Sequence, residues 1–163
     1  MSRTELIANR AMDRLLRAPS ARNAASLPLD LDLERVLTGI VQVDDCYFLQ
    51  SFAPERVPTS FGSLHDATGF ECSVNSFHPE DYLPRDSSRR PAYLAGVTRR
   101  AASFLADQLR STGAPSTFRV IGSVNGPAST LRFHAVRLEE RWLARDIEKY
   151  QDAVFVLDVS PPD

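Results

Sequence analysis

The sequence predicts an α+β fold, a single domain in which helices pack against a mainly antiparallel sheet of about five or six strands. Short apolar runs with period-2 alternation predict strands, turn residues between them predict hairpins, and one long stripe of period 3.6 predicts a helix. The length of 163 residues suits one domain. We expect residues 1–30 to form an N-terminal helix and a flexible loop, and residues 31–163 to form the core.

The N-terminal segment is predicted to contain a helix, a loop and a further helical turn. Ser2 and Glu5 fit a capping box, and the apolar residues that follow lie on one helical face as far as Arg17. Residues 18–30 are rich in Ala, Ser and Pro without periodicity, which is typical of a loop. Residues 31–38 are expected to add a turn of helix.

A hairpin, a strand and a helical turn are predicted next. Apolar runs flank Asp44 and Asp45, which tolerate the left-handed backbone of a tight turn, so residues 39–52 should form a β-hairpin. Apolar and polar residues alternate over 70–75, which predicts a third strand. Pro79 suits the first position of a single helical turn.

The middle of the chain predicts a long helix followed by a second hairpin. Ser87 or Ser88 is the expected cap of a helix that starts near Pro91 and carries the clearest apolar stripe of the sequence. A fourth strand follows it and ends at Asn125-Gly126, a dipeptide that is typical of a tight hairpin turn.

The C-terminal stretch is predicted to form a strand, a helix and a strand. Alternation over 130–137 predicts a strand with one buried face. Apolar residues between Trp142 and Tyr150 return to one face at 3.6 residues per turn, which predicts a short amphipathic helix. The continuous apolar run 153–159 predicts a central strand that is buried on both sides.

Composition and charge narrow the classes of function. The net charge is −2 and the pI is about 5.9, which gives no general attraction for nucleic acid or anionic membranes. The sequence shows no apolar run of membrane-spanning length and no secretory signal at its start. We therefore expect a cytoplasmic protein without a membrane partner.

Candidate catalytic groups are few. A small hydrolase using Cys72, His78 and Asp81 is one alternative, but Cys72 lies in an apolar pattern, where a thiolate is disfavoured. His65, His78 and the neighbouring carboxylates are spaced irregularly, which predicts no metal site. Phosphate-binding and nucleophile motifs do not occur. We expect no catalytic residue, no cofactor and no enzymatic activity.

Two clusters of charge suggest binding surfaces. Arginines between residues 85 and 100 allow a second alternative, a nucleic-acid accessory protein, although a solvated loop and helix face is the favoured explanation for them. Carboxylates near residues 44–45 and 139–148 would attract a basic partner if they are not paired. The predicted partner-binding residues are Asp44, Asp45, Glu139, Glu140, Asp146 and Glu148.

Two blocks of sequence carry a family resemblance. The first is F-H-x-x-R-x-x-E-x-W-L-x-x-D-I-E-x-Y, from Phe133 to Tyr150, and the second is E-C-x-V-N-x-x-H-x-x-D-Y, from Glu71 to Tyr82. Together they resemble small bacterial immunity proteins of contact-dependent growth inhibition and related polymorphic toxin systems. The order of elements is similar over about residues 33–159.

The resemblance implies a protein that binds a cognate toxin domain, often a nuclease, and neutralises it by stoichiometric occlusion. The motif residues would then be structural. Trp142 would pack the third helix on the sheet, Arg137 would bridge Glu140 or Asp146, and His134 would bond within the sheet. The toxin would contact other surfaces.

Overall fold

The computed structural model describes residues 4–57, 66–84 and 90–163 and confirms a single α+β domain. The described strands are β1 (Thr4–Ala8), β2 (Ile40–Val43), β3 (Cys46–Leu49), β4 (Phe118–Asn125), β5 (Ala128–Ala135) and β6 (Ala153–Val159). The described α-helices are α1 (Arg10–Arg17), α2 (Pro19–Ser26), α3 (Leu31–Leu37), α4 (Ala53–Arg56), α5 (Ala67–Val74) and α6 (Pro91–Ser111). Single 3₁₀ turns lie at Pro79–Tyr82 and Ile147–Lys149.

The strands form a four-stranded antiparallel sheet and a separate hairpin. The order in the larger sheet is β1-β6-β4-β5, and β2 pairs with β3. β6 has a partner on each side, which confirms the predicted central strand. Because β5 and β6 both run antiparallel to β4, they point in the same direction. Residues 136–152, here called the crossover segment, therefore return to the opposite end of the sheet before β6 begins.

One face of the larger sheet packs against the long helix α6 and forms the main core. Phe118, Phe133 and Phe155 project from neighbouring strands into this layer and are buried. α2 also packs on α6, and a Cβ added to Gly96 would lie 2.3 Å from the carbonyl oxygen of Ala21. The N-terminal helices are therefore part of the core.

The crossover segment lies over the other face of the sheet. Ile121, Val154 and Val156 project to that face and are buried. The Trp142 ring lies over Arg132, with the guanidinium carbon 5.0 Å from the ring centre. Trp142 of the crossover segment therefore contacts this face of the sheet through Arg132 of β5.

A buried asparagine holds the end of the crossover segment. Asn9 caps α1 by accepting from the Met12 amide at 3.0 Å, and the same Oδ1 accepts from the Val154 amide at 3.0 Å. Its Nδ2 donates to the Asp152 carbonyl at 2.8 Å. One side chain therefore joins the start of α1 to the start of β6.

Several predicted elements differ from the structure. The helix predicted from Trp142 to Tyr150 is wrong, because only Ile147–Lys149 makes a helical turn, and the Ile147 carbonyl and the Glu148 carboxylate accept bonds from Asn9 and Arg10. The strand predicted over 70–75 is wrong: α5 occupies it, and Asp66 caps that helix by accepting from the Gly69 amide at 2.7 Å.

The N-terminal prediction is also partly wrong. β1 occupies residues 4–8 and pairs with β6, so the helix begins only at Arg10. The loop predicted over 18–30 contains α2, in which Pro19 stands at the start and Ala21 and Ala24 are buried. Tertiary contacts supply the stability that this helix lacks in isolation.

Other local predictions are confirmed. The β2–β3 hairpin turns at Asp44, where φ is 53°, and the β4–β5 hairpin turns at Gly126, where φ is 56°. α6 starts at Pro91, while its predicted serine caps at 87 and 88 lie outside the described residues. Within the described ranges, no helix combines the length and apolarity needed to cross a bilayer.

Candidate interaction site

A buried carboxylate lies where α5 meets the two sheets. Glu71 is fully buried, and its Oε2 accepts from the backbone amides of Tyr47 in β3, at 3.3 Å, and Ala135 in β5, at 3.2 Å. Its Oε1 pairs with the guanidinium of Arg137. Glu71 therefore joins the hairpin, α5, the larger sheet and the crossover segment at one point.

Asn75, the residue that follows the end of α5, extends this connection. Its Oδ1 accepts from the Leu49 amide at 2.9 Å, and its Nδ2 donates to the carbonyls of Tyr47 at 2.9 Å and Phe133 at 3.3 Å. Glu71 and Asn75 share a helix face because they are four residues apart. Together they satisfy backbone groups of β3 that would otherwise be buried without partners.

Arg137 connects the buried Glu71 to residues nearer the surface. Its Nη1 donates to Thr68 Oγ1 at 3.3 Å and to the Ala135 carbonyl at 3.2 Å, and its Nη2 donates to the Asp45 carbonyl at 2.8 Å. Its Nε lies 4.0 Å from Oε2 of Glu140, so the predicted Arg137–Glu140 bridge is present. The hairpin turn and the crossover segment are thereby held against each other.

Burial dominates the electrostatics of the pair. Desolvation raises the pKa of Glu71 from 4.5 to about 7, while the Arg137 charge and the hydrogen bonds from Arg137, Ala135 and Tyr47 oppose the rise. The carboxyl group therefore takes up a proton close to neutral pH.

The residues after β5 form a tight turn that is held on both sides. Glu140 Oε1 accepts from the Thr68 amide at 3.0 Å, near the start of α5. Between Arg137 and Glu140, the backbone of Glu139 is left-handed with φ 66°, and the Leu138 side chain is 94% exposed. We call residues 137–140 the clamped turn.

Four of the six predicted partner-binding residues lie together. The bond from Arg137 to the Asp45 carbonyl places Asp44 and Asp45 beside the clamped turn, which contains Glu139 and Glu140. Asp44, Asp45 and Glu139 are exposed, whereas Glu140 is half-buried. Asp66, which the sequence suggested only as a possible metal ligand with His65 and His78, is an exposed carboxylate that caps α5 two residues before Thr68. The alternation over 70–75 concealed that helix and hence its cap.

The structure places the other two predicted residues elsewhere. Asp146 caps the 3₁₀ turn by accepting from the Glu148 amide at 3.0 Å. Glu148 Oε1 accepts from the Arg10 amide at 2.8 Å, where a carboxylate is favourable at the start of α1. This is the end of the sheet at which β6 begins, opposite to the clamped turn. Both carboxylates therefore have structural roles, Asp146 within its own turn and Glu148 at the start of a helix that is distant in sequence.

A comparison with known proteins identifies the family. A family model described as the uncharacterized protein PM0498 family matches residues 7–162. The chain belongs to this family. No curated protein and no solved structure matches the chain.

The cysteines of this PM0498-family chain are poor nucleophiles. Cys72 is fully buried, and desolvation raises the pKa of its thiol to about 12. Cys46 is buried too, and desolvation raises the pKa of its thiol to about 11. A thiolate at either position is disfavoured near neutral pH. This argues against the alternative of a thiol hydrolase.

The histidines that the structure describes have backbone partners. His78 Nδ1 donates to the Ser129 carbonyl at 2.7 Å, and the neighbouring Glu80 accepts from the amide and hydroxyl of the same serine. His134 is buried within the sheet, donates to the Ala135 carbonyl at 2.8 Å, and has a pKa that burial lowers. His65 lies outside the described residues, among which no group of three potential metal ligands occurs.

The arginine cluster is only partly described. Arg99 is half-buried on α6 and donates to Ser103 at 2.6 Å, and burial lowers the pKa of its guanidinium. Arg85 and Arg89 lie outside the described residues. Within the described part of the cluster, the bond that Arg99 makes to Ser103 is therefore internal to α6.

Proposed function

We propose that this protein is a cytoplasmic immunity protein that neutralises a cognate toxin by stoichiometric occlusion, without catalysis of its own. The observation that carries the proposal is the clamped turn. It presents exposed Leu138 next to carboxylates from two segments that are distant in sequence, and a buried ion pair holds them in place. Such a surface suits binding rather than chemistry.

The charge of this surface favours a basic partner. The exposed carboxylates around the clamped turn are Asp44, Asp45, Asp66 and Glu139. Asp66 and Glu140 accept hydrogen bonds from neutral backbone amides, which do not cancel the negative charge of these two side chains. A nuclease toxin would present a basic groove for its own substrate, which is complementary to this surface. Complementary charge steers encounter and selects among partners.

Rigidity of the surface also supports the proposal. Arg137 and Glu140 fix both ends of the clamped turn through Asp45, Thr68 and Glu71. A binding loop that is already ordered loses little conformational entropy when it docks. An inhibitor that must occlude a toxin benefits from that saving through slower dissociation.

The first experiment is recovery of the partner. The tagged full-length protein is purified from its native cells, and the native mass of the eluted complex is measured. We expect a one-to-one complex with a protein that is toxic when expressed alone and harmless when co-expressed. Recovery of the free chain, or salt-sensitive binding of DNA or RNA by the isolated protein, would contradict the proposal.

A charge-reversal variant tests the surface itself. Replacing Asp44, Asp45 and Glu139 by lysine should weaken binding of the recovered partner and flatten its salt dependence. The matched control replaces three other exposed carboxylates by lysine; these are Asp32 and Glu34 on α3 and Glu55 on α4. Equal losses in both triple variants would remove the clamped turn from the proposed interface.

A further inference from the structure

We infer that Leu138 is the anchor of this interface: it enters an apolar pocket on the partner protein, and the rim of that pocket carries Arg or Lys side chains. This inference rests on the proposed function and deepens it by stating the chemistry of the partner's surface. It follows from the exposure of Leu138, from the restraint on its backbone and from the charges around it.

Leu138 is exposed to an unusual degree. It is 94% exposed, whereas the next most exposed large apolar residue in the described chain, Leu31, is 69% exposed. Val136 and Trp142, in the same crossover segment, are each 41% exposed. An isolated apolar side chain on a surface is common. A side chain that is almost fully exposed, however, gains the most hydrophobic free energy when a partner buries it.

The backbone around Leu138 is kept in a conformation that most residues avoid. Glu139 has a φ of 66°, a left-handed backbone conformation that is unfavourable for residues with a Cβ atom. The turn persists because its two ends are fixed by other elements: Arg137 bonds to Asp45 and Glu140 bonds to Thr68. Local strain of this kind is typical of functional sites.

The charges around Leu138 determine the kind of pocket. Glu139 directly follows Leu138 and is exposed, and Arg137, the residue before Leu138, bonds to the carbonyl of the exposed Asp45. A partner that accepts Leu138 must therefore bring positive charge to the rim of its pocket. Interfaces with an apolar centre and a polar rim concentrate their binding energy in the central side chain. Phosphate groups of nucleic acid and of anionic lipids would be repelled here, which leaves a protein as the occupant.

The test compares leucines at two exposed positions. The probe is the protein that co-purifies with the wild-type chain, repurified and titrated against full-length Leu138→Ala, Leu138→Asp and the control Leu31→Asp. We expect Leu138→Ala to weaken binding about ten-fold and Leu138→Asp more, with Leu31→Asp unchanged. All three variants should melt like the wild type, because both leucines are exposed.

The outcomes separate this inference from the proposed function. If the partner is recovered and binds Leu138→Asp as tightly as the wild type, the anchor is refuted while the immunity function stands. If no partner is recovered, both are refuted. A photo-crosslinking residue at position 138 adds an independent readout. Crosslinks to an apolar pocket flanked by Arg or Lys support the inference, and crosslinks to an acidic or flat polar surface overturn it.

Discussion

Replacement of Arg137 by methionine should reveal how much the buried pair contributes to stability. Methionine keeps much of the side-chain volume but leaves the Glu71 carboxylate buried without its counter-ion. It also removes donors to Thr68 and to the Asp45 carbonyl. Removal of one member of a buried ion pair typically costs about 3–5 kcal/mol in the free energy of unfolding. We expect a loss of that size at about pH 8.

The loss should depend on pH in a defined direction. The pKa of Glu71 is raised from 4.5 to about 7 in the folded protein, so the folded state binds more protons than the unfolded state between these values. Its contribution to stability is therefore most favourable at low pH and declines as pH rises towards 7. Arg137→Met removes an influence that lowers this pKa, which raises it further. The extra destabilisation should grow from about pH 6 to about pH 8.

Urea denaturation at about pH 6 and about pH 8 measures both quantities. The control is Arg17→Met, which removes an exposed ion pair with Asp13 whose N–O distance is 3.0 Å. It should cost at most about 1 kcal/mol at either pH. A loss below about 1 kcal/mol for Arg137→Met at about pH 8 would refute the reasoning. A loss independent of pH would show that Glu71 titrates outside this range.

Three further predictions concern packing and reactivity. Asn75→Ala removes the side-chain partners of two buried β3 residues, and denaturation should show a loss of about 2–4 kcal/mol. Gly96→Ala should lower the melting temperature, because its Cβ would lie 2.3 Å from the Ala21 carbonyl oxygen and α2 would have to move. Cys46 and Cys72, with pKa values raised to about 11 and 12, should resist alkylation at neutral pH until the protein is denatured.

These predictions have matched controls. Asn23→Ala, at an exposed position of α2, should change stability by no more than about 0.5 kcal/mol. Gly113→Ala meets no neighbouring atom within 4 Å, so its cost comes only from the left-handed backbone at φ 67° and should be about 1 kcal/mol. Rapid alkylation of either cysteine in the native state would contradict the buried environment of the thiols.

Local chemistry made several elements predictable from the sequence. A proline at the first position and an uninterrupted apolar stripe indicate α6, and turn residues that accept positive φ indicate the hairpins at Asp44 and Gly126. The apolar run of β6 indicates a strand with neighbours on both sides. Each of these signals depends on residues close together in the chain, so no knowledge of distant partners is needed.

The two largest errors, the strand predicted over 70–75 and the helix predicted from Trp142 to Tyr150, arose where contacts with distant residues determine the secondary structure. The residues of α5 alternate as a strand would, but helical spacing places Glu71 and Asn75 on one face, where both reach backbone groups of β3 and β5. The apolar residues from Trp142 to Tyr150 have helical spacing, but the Ile147 carbonyl accepts from Asn9 Nδ2 and the Glu148 carboxylate accepts from the Arg10 amide. Side-chain bonds to other elements replace the local hydrogen bonds that a helix would make.

Local sequence patterns are sufficient to predict the α+β class, both hairpins, the long helix and the acidic clusters. Only the folded chain shows that Glu71 pairs with Arg137 and that Arg137 bonds to the Asp45 carbonyl. It also shows that Asp146 caps the 3₁₀ turn and that Glu148 accepts from the first amide of the distant helix α1. Periodicity records which side of an element is apolar, and it carries no information about which polar group a distant side chain meets. The candidate surface exists because folding brings the hairpin turn, α5 and the crossover segment together.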